Sequence, residues 1–374
     1  MMEPVVMRSA GLDVHRMSVV ATILIEEEDG SLREETRTFG TFRRDRRDLC
    51  RWLKQEKIEL VVMESTGIYW KSVYASLERA GLEAYVVNAR HVKNVPGRKT
   101  DVKDSQWLAA LARMGLLKSS FIPPEDLREL RLVSRQRMKV QSMLSAEKNR
   151  MNKVLDDAGI RLGGVVSDIN GVSAQKMIDG LIEGRPVADL VNEARGRLKE
   201  KIPELTECLD ESLGDRHRFL LRQIRDHIRY LESEIEELDD YLFAAMEPYQ
   251  RQWNVLQTIP GVDRLSAAML IIEIGIDMER FGSGGRLASW AGMCPGNNES
   301  AGKRKSGRTC KGNQAVRRLL CEIANAARKT KSQFKGKYKS LVIRRGHKRT
   351  IIALGHNWTL DKPLRSPAKN CRKL

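Results

Sequence analysis

The chain has 374 residues, 41% hydrophobic and 31% charged, the balance of a folded chain long enough for two or three domains rather than of a disordered segment or a disulfide-stapled miniprotein. Its formal net charge is +17, from 66 Lys and Arg against 49 Asp and Glu. Its apolar runs fall far short of the roughly 20 residues of a membrane helix, no leader pattern opens it, and its six Cys form neither a CxxC nor a Cys/His cluster, so a cytoplasmic protein with reduced thiols is expected.

In chain order, residues 6 to 25 (VMRSAGLDVHRMSVVATILI) are rich in β-branched residues. They are followed by the turn-like EEEDGS and a second extended stretch, TRTFGTF, which together suggest a hairpin. RRDRRDLCRWLKQEKI has helical spacing, IELVVMES is a strand ending at Glu64, GIYWKSVYASLERAG is a helix closed by Gly81, and LEAYVVNA is another strand. A helix in TDVKDSQWLAALARMGLL completes a β-β-β-α-β-α-β-α order, an α/β domain with a central sheet, expected over 1–120. From about Leu127 to Tyr249 the pattern becomes helical and Leu-rich. Leu221, Ile224, Ile228, Leu231, Ile235, Leu238 and Leu242 alternate spacings of three and four, a heptad seam that predicts a coiled coil in the region 121–250, used either between chains or in an intramolecular hairpin.

A mostly α C-terminal domain is expected over 251–356. TIPGVDRLSAAMLIIEIG has the form of a helix-hairpin-helix turning at Gly261, whose backbone N–H groups can take a phosphate without reading sequence. A polar, Gly-rich loop from Pro295 to Gly312 follows, then a basic helix over 313–329. From Asn357 onward the sequence is polar, carries Pro363 and Pro367 and shows no helical period, so 357–374 is expected to be a disordered tail.

The positive charge is concentrated. Ala301 to Thr350 holds nine Lys and eight Arg against the single acid Glu322, a net +16 that leaves +1 for the other 324 residues. A concentrated field of this kind marks a polyanion-binding region. With only 5% aromatics, backbone contact to a duplex fits better than base stacking.

Four acids in the first domain have placements that matter as a set. Asp13 lies near the start of the first strand, Glu64 at the C-terminal end of a later one, and Asp101 and Asp104 are three apart on a helix and so share a face. Carboxylates gathered at one sheet edge repel one another unless they surround hard divalent cations, and two magnesium ions held there would serve phosphodiester chemistry.

GLDVH, VVMESTGIYW, VVNA, KTDVKDSQWLA, IPGVDRLSAAMLIIEIG, ASWAGMCPGNNESAGK and KGNQAVRRLL, in this order from about residue 8 to 353, resemble the insertion-sequence transposases that join a RuvC-like DEDD domain to a serine-bearing transposase domain, a group that includes the Piv invertases. The resemblance implies an RNase H-like first domain, with Asp13, Glu64, Asp101 and Asp104 as metal ligands and magnesium as cofactor. It implies Ser300 as the nucleophile that attacks DNA phosphate; Ser306 and Ser289 are competitors on sequence alone. Lys303, Arg304, Lys305, Arg308, Lys311, Arg317 and Arg318, with Gly261, would hold nucleic acid. It further implies donor and target DNA as substrates, a guide noncoding RNA, a homo-oligomer (dimer or tetramer) with a composite site, and a prokaryotic, nucleoid-associated setting. Two alternatives stand beside this: a RuvC-like structure-selective nuclease, and a non-catalytic DNA-binding remnant.

Overall fold

The computed structural model describes residues 5–65, 67–89, 92, 104–296, 298–300, 303–306, 308–309 and 311–360, with the backbone alone at 298–300, 303–306 and 360. The chain divides into two compact units, 1–125 and 126–374, so the first boundary lies a few residues beyond the expected one.

The first unit is built on five strands: β1 (Arg8–Val14), β2 (Ser18–Glu26), β3 (Leu32–Gly40), β4 (Leu60–Glu64) and β5 (Ala84–Val87). They are ordered β3-β2-β1-β4-β5. The first three are antiparallel neighbours, and β1-β4 and β4-β5 are parallel. The expected α/β order is therefore present, and the long opening stretch is two strands, divided at the turn where the His15 amide donates to the Ser18 carbonyl. Helices α1 (Arg43–Gln55) and α2 (Trp70–Arg79) return the chain between strands and cover one face, where Leu49, Trp52, Leu53, Val73 and Leu77 pack on Leu12, Ile23, Val61 and Met63.

Helix α3 (Asp104–Arg113) covers the other face. It sits so close to β1 that a Cβ on Gly11 would lie 2.0 Å from the Ser105 carbonyl oxygen and 2.5 Å from the Ala109 nitrogen, so only glycine fits there. Buried hydroxyls fasten the helix: Ser9 donates to the Ala109 carbonyl (3.0 Å), and Ser105 and Thr22 share a hydrogen bond (2.8 Å). Polar groups shut away from water need such partners, and here each partner lies on the opposite layer.

In the second unit, α4 (Glu125–Asp157) and α6 (Asp215–Ala244) are the long helices. They run antiparallel, as pairs Arg137–Asp239 (2.8 Å), Lys148–Glu232 (2.7 Å) and His217–Asp157 (2.9 Å) require. Leu221, Ile224, Ile228, Leu231, Ile235 and Leu242 are buried and Leu238 partly so. The first five, with Leu238, share a core with Val140, Leu144, Met151 and Leu155 of α4 and with α5 (Val172–Glu183). The heptad seam is thus used inside the chain, by helices on more than one side.

Further helices of the unit are Gln250–Gln257, α7 (Arg264–Ile274), α8 (Gly284–Trp290), α9 (Gln314–Ala327) and α10 (Gln333–Leu360), kinked at Gly346. The residues from Ala267 to Ile274 are all buried, as expected of a helix with no polar face. Helix α10 continues into the stretch expected to be a tail. Trp358 is 2% exposed, and Ile351 and Leu354 are also buried; a bulky indole at a buried position contributes burial that the polar sequence around it conceals. Residues 361–374 lie outside the described residues. Trp358→Ala is expected to cost about 3–5 kcal/mol, read as a lowered midpoint in a denaturant melt of the full chain.

No helix among the described residues is long and apolar enough to cross a membrane.

Candidate active site

Strand parity sets the first unit's site. On β1, Ala10 and Leu12 face α1 and α2, whereas Ser9 and Gly11 face α3. Side chains alternate along a strand, so Asp13 lies on the α3 face, and it stands near the end of β1 rather than near its start as expected, because the strand begins earlier, at Arg8. On β4, Val62 belongs to the α3-side core, which puts Glu64 on that face as well. Leu12 pairs with Met63 in the parallel register, and the next step along both strands brings Asp13 beside Glu64. Ser105 meets Gly11 while Ala109 meets Ser9, so α3 runs antiparallel to β1. Its first residue, Asp104, therefore comes to the same carboxyl end of the sheet.

Three of the four sequence-selected acids thus share one face and one edge, and Asp101 lies outside the described residues. Among the described residues no group of three or more His, Cys, Asp or Glu side chains is close enough to hold a metal ion, so the expected four-acid cluster is not assembled among them. The donor set itself fits a hard divalent cation, being carboxylate oxygen throughout. Asp13 is about one-third exposed, and its Oδ2 lies 3.0 Å from His15 Nε2. His15, two residues along in GLDVH, was not singled out from sequence.

In the second unit, the stretch expected to be a loop contains a hairpin, β6 (Asn298–Ser300) and β7 (Lys303–Ser306). Ser300 pairs with Lys303 and Glu299 with Arg304, with an irregularity between Asn298 and Glu299. Ser300 is therefore the last residue of β6, at the turn, and Lys303, Arg304 and Lys305 lie on the opposite strand. The hairpin's base is closed by a bridge between Pro295 and Thr309 and by the Gly296 amide donating to the Arg308 carbonyl at 2.7 Å. Arg308 and Lys311 are exposed. Arg318, also exposed, donates to Glu322 (3.0 Å) and to the Ser142 hydroxyl (3.1 Å), and Arg317 is half-buried. Ser289 is exposed on α8, away from the hairpin in sequence.

Gly261 lies in the turn between Gln250–Gln257 and α7 with φ +90°. A Cβ there would come within 2.6 Å of the Ile323 oxygen and the Ala327 nitrogen of α9. Packing against a neighbouring backbone, as well as its left-handed conformation, requires glycine. The first turn of α7 is capped from within the chain, since the Asp263 carboxylate accepts from the Ser266 amide at 2.7 Å.

The second unit also holds a charged cluster that sequence patterning missed. Glu273 of α7 is 2% exposed. Arg135 of α4 meets it with two hydrogen bonds, 2.8 and 3.0 Å; Arg131 adds an ion pair at 3.4 Å; and the Asn313 amide donates at 2.9 Å. Burial works to raise the Glu273 carboxyl, but the Arg135 hydrogen bonds and the two guanidinium charges outweigh it and hold the group below the usual carboxylate range. Burial pushes Arg131 down to about 10. Asn313 also caps α9, accepting from the Ala315 and Val316 amides, and its own amide donates to the Trp290 carbonyl. One carboxylate therefore ties α4 and α7 to the start of the basic helix. The only sequence signal was one acid within the apolar run AAMLIIEIG.

Comparison with known proteins bears on both units. No curated protein matches the chain. Among solved structures, RuvC from Thermus thermophilus matches at 17% identity over 30% of this chain and 100% of its own, with a TM-score of 0.24. The same organism's RuvC in complex with a Holliday junction substrate matches at 16%, with the same coverage and score. The DEDD transposase family model of the IS110 type matches residues 10–160, and the model of the transposase IS116/IS110/IS902 family matches residues 253–339. With both transposase regions present in order over more than half its length, the chain belongs to the IS110-type insertion-sequence transposases.

Proposed function

We propose that the protein catalyses strand exchange of an insertion sequence by attack of Ser300 on a DNA phosphate, assisted by metal held at the acid edge of an RNase H-like first domain. The observation that carries this is the convergence of Asp13, Glu64 and Asp104 on one face at the carboxyl end of adjacent parallel strands in an IS110-type transposase. Asp101 would complete the set. Magnesium bound by these carboxylates would supply Lewis acidity for charge developing on phosphate oxygens.

The serine step is a transesterification. Ser300 Oγ forms a bond to phosphorus as one phosphodiester bond breaks, the departing DNA oxygen takes up a proton, and a phosphoserine ester is retained for resealing. One ester replaces another, so no external energy source or oxidant is needed. At a hairpin turn with Lys303, Arg304 and Lys305 on the facing strand, the serine sits in a strongly positive stretch suited to drawing in a phosphate. Arg308, Lys311, Arg317 and Arg318 would extend that contact. Because such contacts carry no sequence information, site choice would rest with a guide noncoding RNA pairing to donor and target DNA, and the active protein would be a dimer or tetramer with sites composed across protomers.

The test mixes protein, the element's flanking noncoding RNA, magnesium and labelled donor and target DNA on a denaturing gel. A protease-sensitive DNA adduct is expected in the wild type and in Ser306→Ala, and none in Ser300→Ala. Cut ends without adduct in every variant would remove the serine role and leave a nuclease.

A further inference from the structure

The first unit carries a concentrated positive feature away from the acid face, one that the near-neutral total outside residues 301–350 conceals. Helix α1 begins RRDRRDLCRWLK. Its basic residues Arg43, Arg46, Arg47, Arg51 and Lys54 fall at spacings of three, one, four and three, and so line one side of a helix. With Arg79 of α2 they border a groove of about 820 Å³ between the two helices, and no acidic side chain lines it among the described residues.

The six cations are in two states. Three are held by the protein: Arg46 donates to the Ser76 hydroxyl (3.0 Å) and the Thr41 carbonyl, Arg51 pairs with Asp48 (2.8 Å), and Arg79 pairs with Glu125. The other three, Arg43, Arg47 and Lys54, are exposed and make no hydrogen bond or ion pair with a described residue. Like charges gathered with too few acids to pair them repel one another, which costs stability unless an anionic partner neutralises them. Arg43, Arg47 and Lys54 span about 16 Å of helix at 1.5 Å per residue, so the groove suits an extended polyanion better than a single small anion.

Its direction is informative. Strand β3 runs parallel to β1, and α1 follows it, so α1 starts at the acid edge; α2 follows β4 and starts there too. Thr41, just before α1, donates to the Arg16 carbonyl in the turn after Asp13. The groove thus leads away from the edge that carries the acids. At its head stand two exposed aromatic residues, Phe42 (70% exposed) and Tyr69 (44%), immediately before α1 and α2. Exposed rings beside a phosphate track are a means of holding unpaired bases by stacking.

We infer that the α1–α2 groove is a second DNA site, which grips the phosphate backbone of the DNA arm leading to or from the acid edge. The choice of DNA over RNA rests on the transposase reading; the positive groove does not. Because the contacts are to backbone, the site is indifferent to sequence.

The test uses the full chain in EDTA, where no cleavage occurs, so binding is read even if the catalytic proposal fails. Fluorescence anisotropy with a labelled mixed-sequence DNA duplex compares wild type with Arg47→Gln/Lys54→Gln and with a charge-matched control, Arg44→Gln/Lys118→Gln, whose residues are exposed but outside the groove. The groove variant is expected to bind at least about tenfold more weakly at 0.15 M salt, and its log K against log salt slope should shrink by about two, roughly 0.9 per lost phosphate contact. A local readout accompanies it: acetylation of Lys54, followed by mass spectrometry, should fall when DNA is added, while Lys118 stays reactive. Equal losses in groove and control variants, or none in either, would overturn the proposal. Loss confined to a hairpin RNA probe, with DNA binding intact, would overturn the assignment to DNA.

Discussion

Glu273→Ala is expected to destabilise the second unit by about 3–5 kcal/mol, because it removes the buried carboxylate that the Arg131 and Arg135 guanidinium charges and the Asn313 amide all meet. Arg131, the more buried of the two arginines, would then keep its guanidinium beside an emptied site, and Asn313 would lose one of the bonds that place the start of α9. Denaturant melts at neutral pH would show this directly. A double substitution that replaces Glu273 and Arg135 together with apolar residues should cost less than Glu273→Ala alone, because it removes the buried carboxylate together with the guanidinium that meets it with two hydrogen bonds. If the double change costs more, the cluster does not act as an ion pair.

The pH dependence has a definite sign. The folded Glu273 carboxyl sits below the usual range, so the stability it adds is fully present above the unfolded carboxylate value of about 4.3. It is lost as the pH falls towards and through the lower folded value. The difference in unfolding free energy between wild type and Glu273→Gln should therefore stay constant from pH 7 to about 5 and shrink below that. A difference that grows on acidification would contradict this assignment.

Asp13→Asn and Glu64→Gln are expected to have the opposite profile. If, as proposed, these carboxylates hold the metal that assists the reacting phosphate, each should reduce magnesium-dependent DNA strand cleavage at least about a hundredfold. Asp13→Asn should leave the melting midpoint nearly unchanged, since its carboxylate is about one-third exposed and its described partner is the exposed His15. Cleavage assays with and without EDTA, run beside thermal melts, check both halves. A large loss of stability with activity retained per folded molecule would make Asp13 a structural residue. His15→Ala is a useful companion: if the imidazole only steadies Asp13, cleavage should fall far less than in Asp13→Asn.

Some features were open to reading because they are periodic or local. The alternation of strands and helices in the first unit follows from β-branched runs and helical spacing, and the heptad from Leu221 to Leu242 located α6. Glycines at tight places, Gly81 and Gly261, marked turns. Other features were hidden because their signal lies in a partner far along the chain. That Asp13 and Glu64 share a face depends on register between strands about fifty residues apart. Composition averaged away the α1 groove, since nearby acids such as Asp45 and Asp48 cancel the arginines in a sum while lying outside the groove lining. The Ser300 hairpin has no strand signal in the sequence, because three- and four-residue strands made of polar residues carry no hydrophobic alternation. Trp358 has no helical signal around it in the sequence, because one buried ring cannot make a period.

The sequence by itself determined the α/β character of the first unit, the helical nature of the rest, the concentration of positive charge from residue 301 to 350 and the acids available for chemistry. All of these depend on residue type and short-range spacing. Only the tertiary structure decided which face Asp13 and Glu64 occupy, that the heptad seam is satisfied within the chain, that Glu273 is buried between two arginines, and that α1 and α2 border a basic groove leading from the acid edge. Each of those depends on strand register and helix packing, where burial and charge pairing between distant residues set the free energy, and local pattern carries no record of the partner.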